Sequence, residues 1–300
     1  MVKVFRFLII CAISVAFTSS IARAQTYKQV DYPGAIFTEI SGGPNLEGTS
    51  VGVWEDTGGV FHGFSVTAKG VFTSFDPPGS AFTQPDFINL QGVIVGAYLD
   101  SSNVSHGFIL NGKEYTVVNV KGAAGTTLSG INDLGEISGS TCSDSACGNT
   151  GLSTFNESFV RSPDGKYTFF NPPGATSSES STVSLIGAVV GSYTDNDGST
   201  CSVECQGYLL FLGKYTTINF PGTTFTFAGG GNLENDIVGE YVDAAGVVHG
   251  FLLHHGAYTS FDYPEAGVEF TAAAGINALG VIVGLFEDSS GNFHGFIRTP

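Results

Sequence analysis

The sequence predicts an all-β protein, a six-bladed β-propeller of four-stranded blades, and three observations predict it. One unit of roughly 45 residues recurs six times. Each unit carries four short stretches rich in Val, Ile, Thr, Phe and Tyr, separated by Gly, Pro, Asn, Asp and Ser. No long segment holds the i, i+3, i+4 apolar spacing of a helix, and 42 glycines with a single Met argue against a helical chain.

The chain opens on a segment that stands apart from the units. Residues 1–24 begin with Lys3 and Arg6, run apolar from Phe7 to Phe17 and end on Ala22-Arg23-Ala24. That order is expected of a secretory signal peptide cleaved before Gln25, and its apolar run is short for a membrane span. The expected mature product is a secreted or periplasmic domain over 25–300, with no membrane insertion after cleavage. Export gives meaning to the cysteines left after Cys11 departs: Cys142, Cys147, Cys201 and Cys205. An even number in an oxidising compartment predicts two disulfides, and proximity favours Cys142–Cys147 and Cys201–Cys205. A zinc site is the alternative use of four thiols.

The six copies begin at Tyr27, Phe72, Tyr115, Tyr167, Tyr215 and Tyr258. Their first piece is the alternating "YTSFDYP" of 258–264, with the period of a half-buried strand. The second ends in "GIN", as at 275–277. The third, "GVIVGLFED" (280–288), is apolar on both faces, as expected of a strand sandwiched between neighbouring sheets. The fourth is "FHGFIR" (293–298). The short link inside "HGFILNGKEYTVVN" (106–119) makes the fourth piece of one copy a hairpin with the first piece of the next. A blade then runs "GIN", "IVG", "HGF", "YTxFD". The last copy lacks its final strand, and the N-terminal "YKQVDYP" (27–33) is expected to supply it and close the ring. A β-solenoid of the same period is the alternative; it would need atypical capping repeats, and the last copy is regular.

The unit resembles the bacterial extracellular HAF repeat, named for a His-Ala-Phe triplet. The residues that carry the resemblance are His62-Gly63-Phe64, His106-Gly107-Phe108, His249-Gly250-Phe251 and His294-Gly295-Phe296, with the flanking "GxIVG" and "GIN" segments. Gly stands where the family has its middle Ala. Units three and four depart further, with Glu157-Ser158-Phe159 and Gln206-Gly207-Tyr208. The resemblance implies an exported β-propeller-like repeat protein and transfers no activity.

Four Asp–His pairs six residues apart recur in register: Asp56 with His62, Asp100 with His106, Asp243 with His249, Asp288 with His294. A residue repeated once per unit solves a local folding problem before it does chemistry. The Asp is expected to accept turn N–H groups, and the His to bond that Asp or nearby backbone. The units that lack the His are those with inserted cysteine loops, so a local disulfide is expected to steady those turns. No resident metal or other cofactor is expected; the alternative is Ca2+ at Asp195-Asn196-Asp197-Gly198, which lacks the distal Glu of a full calcium loop. "GTSVG" (48–52) matches the nucleophile-elbow pattern, but its glycines occupy the strand slots of Gly92 and Gly96, so Ser50 is a strand residue. No catalytic residue is assigned.

Charge narrows the partners. The whole chain carries a formal −16, and leader removal takes three basic and no acidic residues. Clustered Lys and Arg for nucleic acid are absent. The expected function is non-catalytic: a monomeric binding or scaffold propeller that presents an acidic, aromatic-containing loop face to a glycan, cation or protein. Asp31, Asp76, Asp195, Asp197, Asp262, Tyr32 and Tyr263 are the expected face residues. The alternative is a hydrolase or lyase at the mouth of the axial channel, built from unrepeated polar residues such as Lys121, Arg161, Glu179, Glu204 and Glu234.

Overall fold

The computed structural model describes residues 25–147, 155–195, 204–265 and 267–300. The expected leader (1–24), Asp197 and Cys201 lie outside the described residues. Among the described residues no helix is long and apolar enough to cross a membrane. After β1 (Thr26–Val30), β2 (Phe37–Gly42), β3 (Ser50–Glu55), β4 (Phe61–Val66) and β5 (Phe72–Phe75) form a four-stranded sheet in chain order. A second sheet holds β6 (Ser80–Ile88), β7 (Ile94–Asp100), β8 (Ser105–Asn111) and β9 (Glu114–Val118). The third holds β10 (Gly125–Ile131), β11 (Ile137–Cys142), β12 (Phe155–Arg161) and β13 (Tyr167–Phe170). The fourth holds β14 (Ser177–Val183), β15 (Val189–Thr194), β16 (Gln206–Phe211) and β17 (Lys214–Ile218).

The remaining strands correct the expected count of six separate blades. They are β18 (Thr226–Gly231), β19 (Ile237–Val242), β20 (Val248–His254), β21 (Ala257–Phe261), β22 (Phe270–Ile276), β23 (Ile282–Glu287) and β24 (Phe293–Thr299), together with β1. These eight strands make one sheet, not two. The join is a parallel bridge between Val248 of β20 and Phe270 of β22, where the two backbones come close enough to bond. The structure is therefore an all-β propeller with four discrete four-stranded blades and one eight-stranded sheet. The solenoid alternative also fails, because the chain ends meet. β1 lies antiparallel to β24 from Thr26↔Thr299 to Val30↔Gly295.

The first strands of successive units, β2, β6, β10, β14, β18 and β22, touch in sequence, and β22 returns to β2. They enclose a central cavity. Every one of these strands carries a register shift, between Ile40/Gly42, Pro85/Phe87, Leu128/Gly130, Ser180/Thr182, Ala228/Gly230 and Ala273/Gly275. A bulge inserts one unpaired residue and re-aims it. Here the extra residues are Ser41, Asp86, Ser129, Ser181, Gly229 and Ala274, and all of them line the cavity.

Packing between sheets rests on the aromatic of the His-Gly-Phe segment. Phe64, Phe108, Phe159, Phe251 and Phe296 are fully buried and Tyr208 nearly so. The glycine before five of them (Ser158 precedes Phe159) leaves room for the neighbouring layer. A Cβ on Gly63 would lie 2.8 Å from the Phe75 ring, and one on Gly107 2.7 Å from Leu128 of the next unit. At these two positions the close approach of the next layer favours glycine. Gly63→Ala should cost about 1–3 kcal/mol through overpacking, read as a lower urea midpoint. An unchanged midpoint would mean the Phe75 ring can move aside.

On the face formed by the first-to-second-strand turns, asparagines link neighbouring units. The Asn89 carboxamide oxygen accepts the Val93 N–H at 2.9 Å, which closes its own turn. Amide donors then reach across: Asn45 to the Asn89 carbonyl (3.0 Å), Asn89 to that of Asn132 (3.3 Å), Asn132 to Ser184 (3.0 Å) and Asn232 to Asn277 (3.2 Å). Asn45, Asn89, Asn132 and Asn232 thus each satisfy their own turn and tie it to the next unit, while Asn277 closes its own turn and receives the Asn232 amide on its carbonyl.

Candidate functional site

The opposite face carries the Asp–His joints. Asp56 accepts the Gly58 and Val60 N–H groups at 2.8 and 2.9 Å, and Asp100, Asp243 and Asp288 repeat this on their own turns. Each His Nε2 faces that Asp, at 3.6 Å for His62, 3.3 Å for His106, 3.4 Å for His249 and 3.3 Å for His294. Each Nδ1 pairs with the residue that ends the outer strand: Asp76 for His62 (2.7 Å), Asn119 for His106 (2.9 Å), Asp262 for His249 (2.8 Å) and Asp31 for His294 (2.7 Å). The His therefore clamps the second-to-third-strand turn to the strand exit. In unit four Gln206 takes the place of the His and meets Asn219 at 3.3 Å.

The aromatics expected on this face are half-buried and stacked on neighbouring rings. Tyr32 stacks on Trp54 at 4.1 Å and Tyr263 on Phe286 at 3.7 Å, and Trp54 and Phe286 in turn pack on His62 and His294. Asp31, Asp76 and Asp262 are committed to histidines, while Asp195 lies exposed beyond β15. Among the described residues no group of three His, Cys, Asp or Glu is placed to hold a metal ion. Cys142 and Cys147 form a disulfide with Cα atoms 5.3 Å apart. Cys205 is also disulfide-bonded, and Cys201 lies outside the described residues. Ser50 is fully buried in β3, out of reach of any substrate.

The joints make stability depend on pH. Turn N–H groups, that of Val60 first, hold the Asp56 carboxyl below its ordinary range, and Val104 and Val247 do the same for Asp100 and Asp243. Partial burial lowers the His249 and His294 rings, but the hydrogen bonds they donate to Asp262 and Asp31, with the charges of these and of Asp243 and Asp288, outweigh it and raise both. A raised His stabilises fully below its unfolded value of about 6.5 and loses that contribution as pH climbs through the higher folded value. Replacing His249 and His294 by Ala should therefore cost more at pH 6 than at pH 9, by about 1 kcal/mol. Equal losses at both would show that the rings act as neutral spacers.

The unassigned chemistry lies on the axis. A cavity of about 310 Å³ is lined by Glu39, Asp86, Glu179 and Glu240, with Ser41, Ser129, Ser180 and Ser181 among them. Among the described residues no Lys, Arg or His lines it. Glu39 and Glu179 occupy the same register on β2 and β14, two residues before the bulge. Asp86 is itself a bulge residue. Glu240 reaches in from a second strand, β19, where its neighbours on β18 and β22 are Gly229, Ala272 and Ala274. The carboxylates are walled by protein yet open to the lumen. Among the described residues the Glu39, Glu179 and Glu240 carboxylates have no hydrogen-bond partner; Asp86 has Gln84.

Burial pushes the Glu39 carboxyl up to about 7 and that of Glu179 to about 8. Glu240 rises to about 7, through burial and then the charge of Glu39. Asp86 stands well above its ordinary value, from burial first and then the charges of Glu39 and Glu179. The chamber thus holds carboxyls that are protonated in part at neutral pH, and a cation placed among them would favour their ionised form.

Of the unrepeated polar residues singled out in the sequence, Glu179 lines this cavity; Lys121, Arg161, Glu204 and Glu234 do not. Glu39, Asp86 and Glu240 were missed, though a signal existed. Glu240 interrupts a strand position held elsewhere by Val53, Ala97, Ser140, Ser192 and Leu285, and Asp86 is the single acid at a slot of Ser, Gly and Ala.

No family model matches the chain, and no curated protein matches it. Solved structures do share its fold. A putative TolB from Agrobacterium tumefaciens aligns with TM-score 0.59 and 11% identity over 87% of this chain and 89% of that one. A catalytically inactive virginiamycin B lyase from Staphylococcus aureus, solved with quinupristin, gives 0.55 and 11% over 92% and 100%. The fucose-recognising lectin of Aleuria aurantia, described as a six-bladed propeller, gives 0.52 and 14% over 88% and 93%. At such identities the likeness is one of fold, shared by a lyase, a lectin and a TolB.

Proposed function

We propose that this protein is an exported, non-catalytic binding propeller of the HAF-repeat kind, and that its ligand site is the axial chamber, which takes an organic cation such as an amine or guanidinium. The observation that carries the reading is the set of four carboxylates facing one lumen without a basic residue beside them. The acids of the loop face support it by contrast, since Asp31, Asp56, Asp76, Asp100, Asp243, Asp262 and Asp288 already serve histidines or turn N–H groups. Serine hydroxyls add polar contacts of the kind a small ligand uses for orientation. The alternative of a hydrolase or lyase draws on the same carboxyls, because a group titrating near 7 is suited to proton transfer. Binding is the simpler use, because among the described residues the Glu39, Glu179 and Glu240 carboxylates make no hydrogen bond to a serine or other nucleophile.

Titration calorimetry tests the proposal. A cation entering the chamber ionises groups that are protonated in part at pH 7.5, so spermidine should bind with release of protons. That release appears as a dependence of the observed heat on the buffer's ionisation enthalpy. A Glu39→Gln, Glu179→Gln double variant should lose both binding and proton release. Absence of heat and of any thermal shift with spermidine, cadaverine and arginine would sink the reading.

A further inference from the structure

The face opposite the Asp–His joints bears a second feature that the chamber alone does not use. Among the described residues, six large exposed apolar side chains lie on the first-to-second-strand turns: Leu46, Leu90, Leu134, Ile186, Leu233 and Leu279. Leu46, Leu90 and Leu233 come directly after the staple residues Asn45, Asn89 and Asn232, while Leu134, Ile186 and Leu279 stand one position further along their turns. Leu46 is 53% exposed, Leu90 38% and Leu233 42%. With Leu185 and Ala278 these three line the mouth of the channel on that face. Exposed apolar groups scattered singly need no explanation; a ring of them around an opening does.

The mouth and the chamber are successive stretches of the same strands. Ser181 lines the chamber and Thr182 the mouth; Gly229 and Gly231 divide in the same way, and Phe87 lines both. Asp86 and Leu90 are four residues apart, so the leucine collar and the carboxylates are separated by on the order of 10 Å along the axis. An entering ligand would meet the mouth leucines first, with the staple asparagines and Asp133 between them, and the negative chamber next. Three extended residues cover that distance.

From this juxtaposition we infer that the channel receives the end of a partner polypeptide through the leucine mouth: a free amino terminus or Lys side chain seated among Glu39, Asp86, Glu179 and Glu240, with the next, apolar residues against Leu46, Leu90 and Leu233. This inference rests on the chamber being the ligand site. It adds the class of ligand and the direction of entry. Charge complementarity selects the cationic tip, and the collar selects the apolar residues behind it. A polyamine satisfies only the first part, and a neutral lipid only the second.

The test uses the full mature chain and three fluorescently labelled hexapeptides, with the label at the carboxyl end. The first begins Lys-Leu-Leu with a free amine, the second replaces both Leu by Gly, and the third is acetylated and begins with Glu. Anisotropy titrations should show the first binding at least tenfold more tightly than the second, and no binding of the third. Leu46→Ser with Leu233→Ser, exposed turn positions whose change leaves the core intact and adds no charge, should weaken the first peptide tenfold or more. The same variant should leave spermidine binding unchanged. Equal affinity for the first two peptides, or an unaltered affinity in the leucine variant, overturns the inference while spermidine binding keeps the chamber itself in place. Self-association that the leucine substitutions abolish, seen by sedimentation, overturns it in favour of a second copy. Collar-dependent flotation with neutral vesicles overturns it in favour of a lipid surface.

Discussion

Phe108→Ala should lower the unfolding free energy by about 3–5 kcal/mol, the range for deleting a buried aromatic whose cavity cannot collapse. Phe108 is fully buried and sits between units. Val51 of the preceding sheet and Ile94, Tyr98 and Leu110 of its own pack around it, with Phe75 and Tyr115 at its edge. The space cannot be refilled, because Gly107 and Gly96 on either side hold the layers at fixed separation. A Cβ at Gly96 would already lie 2.2 Å from the Gln84 carbonyl oxygen and 2.9 Å from the Phe108 ring. Phe108→Leu should cost much less, since it keeps most of the volume. Urea midpoints of the two variants decide the matter. A loss below about 1 kcal/mol for the alanine variant would mean that the sheets slide together, and that the spacing is not set by the glycines.

The second large effect is a fall in stability as pH rises. The chamber carboxyls titrate at their ordinary values, 4.5 for Glu and 3.8 for Asp, in the unfolded chain. In the folded protein Glu39 and Glu240 move to about 7 and Glu179 to about 8. An acid raised by folding stabilises fully below its unfolded value and loses that contribution as pH climbs through the folded one. Stability should therefore decline between pH 5 and pH 8 and level off above. Raising one isolated carboxyl's pKa by 1 corresponds to about 1.4 kcal/mol, but these groups share one solvated lumen and titrate together, so a total on the order of 5 kcal/mol is expected. Glu179→Gln should flatten the decline and raise the urea midpoint at pH 9 while changing little at pH 5. Spermidine at pH 8 should restore stability to the wild-type protein and less to the variant. A flat wild-type profile would show that the lumen solvates its carboxylates as well as bulk water does.

Much of the fold was legible because a repeat reports its own geometry. The register of the His-Gly-Phe and "GxIVG" pieces located the strands, and the Asp before each glycine-bearing turn declared its N–H acceptor role. The join between β20 and β22 was not legible. It depends on one backbone bridge at Val248 and Phe270, which no side chain advertises. Tyr32 and Tyr263 looked like surface aromatics because they sit in links, yet each link carries its ring onto the next unit, where Trp54 or Phe286 receives it. The chamber was only partly legible. Its departure from the repeat marked Glu179, but the bulge that turns Asp86 toward the axis is a backbone event, and the Glu39 slot also admits Gln84, Phe227 and Ala272.

The pairing of Thr26–Val30 with Gly295–Thr299 has a consequence for biosynthesis. Thr26–Val30 leaves the ribosome long before Gly295–Thr299 and finds its partner only when those residues have been made. Until Phe293 emerges, a nascent chain keeps two open β edges, and Ile40 lacks the Gly295 against which it packs. Assembly therefore carries a built-in delay, during which a holding factor would be most useful and a truncated product most prone to stick to its neighbours.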